Sequence, residues 1–215
     1  NAANHPPEYL DLYADCPFAS VPDEPPHPWT RPQTPGPRPG GLNRRQILQG
    51  YFAAITAMDA NVGRILDCLE AHGLRVNTLV IFTSDNGMHM GHHGAWGKGN
   101  GTFPLNMYDE AVKVPTLVSR PGAVPQGVVC DAMLSHYDIM PTLLDYVGIG
   151  NPEADALPGS SFAPLLRGEA MPGRDRVVIY DEYGPVRMVR TREWKYVHRY
   201  PYGPNELYDL ANDPG

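Results

Sequence analysis

Leu79-Val80-Ile81-Phe82-Thr83-Ser84-Asp85-Asn86-Gly87 is an apolar, largely β-branched run that stops at Asp-Asn-Gly. A run without polar alternation marks a strand covered on both faces, as in parallel sheets. Open α/β sheets place their ligands beyond the carboxyl ends of such strands. The stretch therefore reads as a buried parallel strand that delivers two oxygen donors, Asp85 and Asn86, at its end. The loop after it holds His89, His92, His93 and Lys98, separated only by Gly, Ala, Met and one Trp. Polar side chains converging on a permissive backbone make this loop half of an active site.

Working upstream, Ile47, Tyr51, Ile55, Met58, Val62, Ile65, Leu66 and Leu69 recur at steps of mostly three and four. That spacing predicts an amphipathic helix, with Asn43 as its cap and Gly73 as its end. A helix leading through Asn77-Thr78 into the strand is the unit from which α/β sheets are built. Before Asn43, residues 1–42 hold eleven of the 24 prolines and support neither helix nor central strand. Tyr9, Tyr13, Phe18 and Trp29 predict that this extended segment lies across a folded surface, with a mobile end between Pro32 and Gly41.

Downstream, Val114–Ser119 reads as a short strand stopped by Arg120-Pro121-Gly122. Asp138 is placed to cap a helix running through Leu143, Leu144 and Tyr146 to Gly148. Val177–Glu182, Val186–Thr191 and Trp194–Arg199 alternate in polarity and are separated by Tyr183-Gly184-Pro185 and Arg192-Glu193, which predicts an antiparallel meander. The expected division is a Pro-rich extended segment packed on the core over 1–42, part of an α/β core over 43–150, and a small antiparallel subdomain over 151–215.

A net charge of -7 over 215 residues, with no basic stripe, argues against nucleic-acid binding. No apolar run reaches the roughly 20 residues of a membrane span. Three cysteines without C-x-x-C spacing support neither a zinc ribbon nor a disulfide scaffold. The chain starts Asn1-Ala2-Ala3 without methionine, which reads as a processed protein or a piece of a longer one.

The donors Asp85 and Asn86 are a carboxylate and an amide oxygen, hard ligands that suit Ca2+ or Mg2+. The plainer reading of Asp-Asn-Gly is a turn whose side chains satisfy local backbone groups. Lys98, between Gly97 and Gly99, is placed to offer a point charge to sulfate or phosphate, and is otherwise a solvated loop lysine. The histidines lack H-E-x-x-H spacing, so a zinc site is not indicated. Tyr108, Asp109 and Glu110 read as a helix start or loop packing. His136 reads as structural. Trp194, Tyr196 and Tyr200 read as packing on one face of a hairpin.

Ser84-Asp85-Asn86-Gly87, Gly91-His92-His93-Gly94, Trp96-Gly97-Lys98-Gly99 and Met107-Tyr108-Asp109-Glu110-Ala111-Val112-Lys113-Val114-Pro115 resemble consecutive blocks of the arylsulfatase-like sulfatases of the alkaline-phosphatase superfamily. Tyr51–Asp59, Arg120-Pro121-Gly122, Asp138–Asp145, Arg187–Thr191, Lys195-Tyr196 and Glu206–Leu210 extend the likeness over nearly the whole chain. The resemblance implies an alkaline-phosphatase-like α/β fold, with part of a large mixed sheet flanked by helices and a small antiparallel C-terminal sheet. By the same resemblance, Asp85 and Asn86 are calcium ligands and Lys98 holds the sulfate group. His93 is a catalytic or substrate-side histidine, and His5, in Asn4-His5-Pro6-Pro7, matches the histidine that protonates the leaving oxygen or is otherwise an ordinary surface residue of an extended segment.

The family's nucleophile is a cysteine or serine converted to formylglycine in a C/S-x-P-x-R motif. Neither Cys16-Pro17-Phe18-Ala19-Ser20, Ser20-Val21-Pro22-Asp23-Glu24 nor Ser119-Arg120-Pro121-Gly122-Ala123 supplies it, and Cys68 and Cys130 do not either. The family's amino-terminal Asp-Asp metal ligands are absent too. The expectation is the carboxyl-terminal portion of a sulfatase that acts on a sulfated small molecule or carbohydrate, inactive without the amino-terminal part of the same fold. A non-catalytic binder of sulfated glycans or a partner is one alternative, and a phosphodiesterase or phosphonate hydrolase of the same superfamily is another. Asn86 favours the sulfatase, because the sister enzymes tend to place a histidine there with a softer metal. The family suggests a periplasmic or secreted setting.

Overall fold

Asn43 starts the longest element with a reciprocal capping box: its side chain accepts from the backbone of Gln46, whose side chain accepts from the backbone of Asn43, both at 2.9 Å. In the computed structural model, which describes residues 4–31 and 36–213, this helix runs Arg44–Ala71. Gly73, in the left-handed conformation (φ 65°), ends it where the spacing predicts. Pro32 and Pro35, in the stretch expected to be mobile, lie outside the described residues.

In chain order the helices are α1 (Pro7–Asp11), α2 (Arg44–Ala71), α3 (Asp109–Val112), α4 (Ile139–Tyr146) and α5 (Ala163–Leu166). The strands are β1 (Val80–Phe82), β2 (His89–Met90), β3 (Trp96–Gly97), β4 (Leu117–Ser119), β5 (Val177–Tyr180), β6 (Val186–Arg190), β7 (Trp194–Arg199) and β8 (Glu206–Asp209). They fall into two compact units, one of Asn1–Arg75 with Thr83–Pro115, the other of Val76–Phe82 with Thr116–Gly215.

In the first unit the Pro-rich segment is fastened to the first half of α2. Phe18, Val21, Leu48 and Met90 form a buried cluster, flanked by Tyr13, Phe52 and Trp96. Phe18 stacks on Phe52 at 5.5 Å. A chain rich in proline has few N–H groups to pair, so its carbonyls need outside donors. Helix α2 provides them: Arg44 donates to Val21 and Pro22, Arg45 to Ala14 and Cys16, and Gln49 to Leu10. Beyond Ala53 no residue of α2 is buried.

In the second unit β1 pairs with β4 in antiparallel register, Ile81 opposite Val118. This corrects the reading of a buried parallel strand: the pairing is antiparallel and all three residues of β1 are half-buried. A continuous apolar run reports burial on both faces but carries no information on partner direction. The small sheet has the order β5-β6-β7-β8, antiparallel throughout. Val186, Met188, Lys195, Val197 and Arg199 face its buried side, and Trp194, Tyr196 and Leu207 its exposed side.

Asp138 corrects a second expectation. The cap before α4 is Ser135, whose side chain accepts from Tyr137 N–H in the 3-10 turn His136–Asp138. The buried Asp138 carboxylate instead accepts from the backbone of Ser135 and Ser160, at 2.8 Å each, and pairs with Arg174 at 2.6 Å. Among the described residues no helix is long and apolar enough to cross a membrane.

Candidate active site

All five residues expected at the site lie in the first unit. Asp85 and Asn86 follow β1 in sequence and sit in a loop pinned to α3. Gly87 N–H donates to Ala111 O at 2.9 Å, and a Cβ on Gly87 would stand 2.0 Å from Glu110 O. Glycine is required there by the approach of α3, not by a free turn. Asp85 Oδ1 accepts from Asn86 N–H at 2.9 Å, and Asn86 Nδ2 donates to Gly87 O at 2.8 Å. These are the local bonds of the plain turn reading. They leave Asp85 Oδ2 and Asn86 Oδ1 without a hydrogen bond among the described residues. The pair fits a hard cation in kind but not in number, since calcium takes about 6–8 oxygens. Among the described residues no group of three or more His, Cys, Asp or Glu is arranged to hold a metal.

Next comes the turn His92–Gly94, between β2 and β3. His93 takes up φ 55°, ψ 22°, a conformation that costs a side-chain-bearing residue energy and persists only when its surroundings enforce it. The enforcement is visible at Gly94, whose φ is also positive: a Cβ there would lie 1.8 Å from Pro25 O, and Gly94 O accepts from His27 N–H at 3.0 Å. His93 Nε2 lies 3.2 Å from Glu110 Oε2, and its ring stacks on Tyr108 with centroids 4.1 Å apart and planes 17° apart.

Two other histidines brace the same tyrosine. His27 Nδ1 accepts from Trp29 N–H at 3.0 Å, so its proton is on Nε2, which donates to the Tyr108 hydroxyl at 3.1 Å. His89 is fully buried and edge-on to Tyr108. The Asn106 amide nitrogen donates to Thr102 and Gly99, so its Oδ1 accepts and His89 Nε2 donates, at 3.0 Å. His89 Nδ1 is left buried without a partner among the described residues. Burial lowers the pKa of His89, against the Asn106 bond and the Glu110 charge, which raise it. The pKa of Glu110 is also lowered: burial opposes its ionisation but is outweighed by a backbone hydrogen bond and by the charge and hydrogen bond of His93.

Lys98 is exposed, one residue past β3, and its carbonyl accepts from Gly101 N–H at 2.8 Å. His5 is half-buried just before α1 and takes no part in the His93 cluster. The sequence marks Tyr108 and Glu110 as a helix start or loop packing and gives no signal for His27 or Asn106. Their partners lie 15 residues away or more in the chain, apart from the His27–Trp29 bond and the Asn106 contacts within the loop. No local period reports such pairs.

The sulfatase family model matches residues 2–149, and the model of the N-sulphoglucosamine sulphohydrolase C-terminal region matches residues 92–215. The chain belongs to the sulfatase family. It is 32% identical over 181 residues to N-acetylglucosamine-6-O-sulfatase of Bacteroides thetaiotaomicron, covering 79% of this chain and 31% of that protein. A protein solved in complex with its substrate D-glucosamine-2-N,6-O-disulfate superposes with a TM-score of 0.70 at 30% identity, over 80% of this chain and 35% of the other. The phosphonate monoester hydrolase of Silicibacter pomeroyi gives 0.66 at 28% identity, over 80% and 38%. The chain thus spans about a third of the length of the curated relatives it matches. The expected fold class, alkaline-phosphatase-like α/β with a small antiparallel C-terminal sheet, holds.

Proposed function

We propose that this chain is the carboxyl-terminal part of a sulfuric ester hydrolase and carries the metal-side and anion-holding half of its site. The observation that supports this most is the single loop that presents an Asp85–Asn86 oxygen pair, a histidine held at its Nε2, and an exposed lysine. In this reading Asp85 and Asn86 are two ligands of calcium, or of Mg2+, completed by donors from an amino-terminal portion of the fold. When bound, the ion would neutralise charge on the sulfate oxygens. Lys98 supplies a positive charge to the same oxygens, which favours the state in which that charge grows. His93 offers a further polar contact to the ester. His5 remains the candidate for protonating the leaving oxygen, as a positioned histidine does in general acid catalysis.

Nothing in the chain supplies the formylglycine nucleophile, and a lysine with two oxygen donors stabilises charge without starting a reaction. Hydrolysis of a chromogenic aryl sulfate is therefore expected only when the chain is joined to a sulfatase amino-terminal portion that carries C/S-x-P-x-R. Lys98→Ala should then remove most of the restored rate, on the order of a hundredfold or more. Turnover by the chain alone would overturn the reading. The likeness to a phosphonate monoester hydrolase favours one second reading, the same site acting on a phosphonate monoester. Running both esters on the joined protein separates the two. A sulfated carbohydrate is the substrate class that the similar proteins suggest.

A further inference from the structure

We propose that Glu110 is a positioning residue for His93: it fixes the ring proton on Nε2 and so makes Nδ1 the atom that the loop offers to a bound oxyanion. The anion half of this statement rests on the sulfatase reading of the loop; the positioning half does not.

A carboxylate only accepts hydrogen bonds, so a Glu110 Oε2 at 3.2 Å requires a proton on His93 Nε2. That assigns the remaining polar atom of the ring. Nδ1 makes no hydrogen bond to any described residue, yet it is not among the buried atoms left unsatisfied, and the side chain is 28% exposed. The atom keeps solvent exposure on a ring that is held at Nε2 and along one face. Tyr108 covers one face, and the hydroxyl of Tyr108 is itself held by His27. The backbone beneath is locked in the left-handed region against Pro25 and His27.

Glu110 is placed with equal firmness. It sits in the first turn of α3, where Gly87 closes against its carbonyl and bonds to the next residue, Ala111. The same contact that orients the Asp85–Asn86 loop therefore orients the carboxylate behind His93. With Nε2 committed, protonation of the ring creates a donor at Nδ1 and nowhere else, and the Glu110 charge compensates the imidazolium from behind. Without this partner the neutral imidazole divides between two tautomers, and the imidazolium has no countercharge behind it when it donates to an oxyanion.

Nitrogen-15 shifts of the His93 ring in the full chain, read with and without sodium sulfate, test this directly. The unaltered chain should show the Nε2–H tautomer in its neutral form, and sulfate should perturb Nδ1 more than Nε2. Glu110→Ala should release a mixture of tautomers and weaken the sulfate response about tenfold, the low end of what loss of a histidine's outer partner costs. Glu110→Gln, whose amide oxygen still accepts, should restore the tautomer. A merely structural glutamate would not move the tautomer. An Nδ1–H tautomer in the unaltered chain overturns the proposal, and this reading needs no variant to fold. An unchanged tautomer in a folded Glu110→Ala overturns it as well. A tautomer that depends on Glu110 with no sulfate response at all supports the positioning role and tells against the sulfatase reading of the loop.

Discussion

His89 and Glu110 make the first unit sensitive to acid, and the sign follows from their shifts. His89 has a folded pKa below its ordinary 6.5, so on acidification the unfolded chain takes up that proton first. Stability falls as pH drops from about 6.5 to the lower folded value and then levels for this group. Glu110 has a folded pKa below its ordinary 4.5, so its contribution is complete above that value and is lost as pH falls through the folded one. Both act in the same direction. Urea midpoints should fall as pH is lowered through about 6.5 and fall again below about 4.5, and His89→Gln should remove the first of these falls. Gly87 gives a sharper prediction. A methyl group 2.0 Å from Glu110 O cannot be absorbed by rotating a side chain, because the obstacle is backbone. Gly87→Ala should cost about 3 kcal/mol, the upper end of ordinary overpacking, and should shift the His93 ring resonances through α3.

Among the elements, α2 was almost fully legible, and its energetics can be tested at one residue. Asn43→Ala removes the side-chain half of the capping box, leaving the Gln46 bond to the backbone N–H of residue 43, and should cost about 1 kcal/mol, seen as a fall in thermal midpoint of about 2–4 °C for a chain of this size. The helix could be read because caps and 3.6-residue periods are written within a few neighbours. The meander could be read for the same reason, since its turns lie between the strands they join, although β8 added a strand that the alternation had not marked. The direction of β1 could not be read. It depends on β4, which lies more than 30 residues away and has only three residues. The candidate site divides along the same line. Asp85, Asn86, His93 and Lys98 stand out as polar groups in a glycine-rich loop, whereas Glu110, Tyr108 and His27 matter only once that loop has folded on α3 and on the Pro-rich segment.

For the whole molecule, apolar surface is the leading quantity. Helix α2 buries nothing beyond Ala53, and Met58 and Ile65 are 44% and 62% exposed. Leu117 in β4 is 64% exposed, and β1 and β4 each have a single strand partner among the described residues. Open strand edges beside exposed apolar side chains favour association. The chain alone should therefore self-associate at micromolar concentration in light scattering, and joining it to an amino-terminal sulfatase portion should shift it to a single species. Calcium should follow the same pattern. With two protein oxygens of the roughly 6–8 it takes, the ion should bind the chain alone with a dissociation constant weaker than about 1 mM.

The contact between Gly94 and the Pro25 carbonyl has one more consequence, for which kinds of change this protein tolerates. The Pro-rich segment touches the His93 turn through main-chain atoms, Pro25 O and His27 N, so the turn senses the path of the segment more than the identity of its side chains. Substitutions at exposed positions such as Glu24 should pass unnoticed. One residue inserted or deleted between Pro22 and His27 should displace the histidine as surely as changing the histidine itself. A stretch without regular secondary structure thus works as a ruler, and its length is the part of it that selection would have to guard.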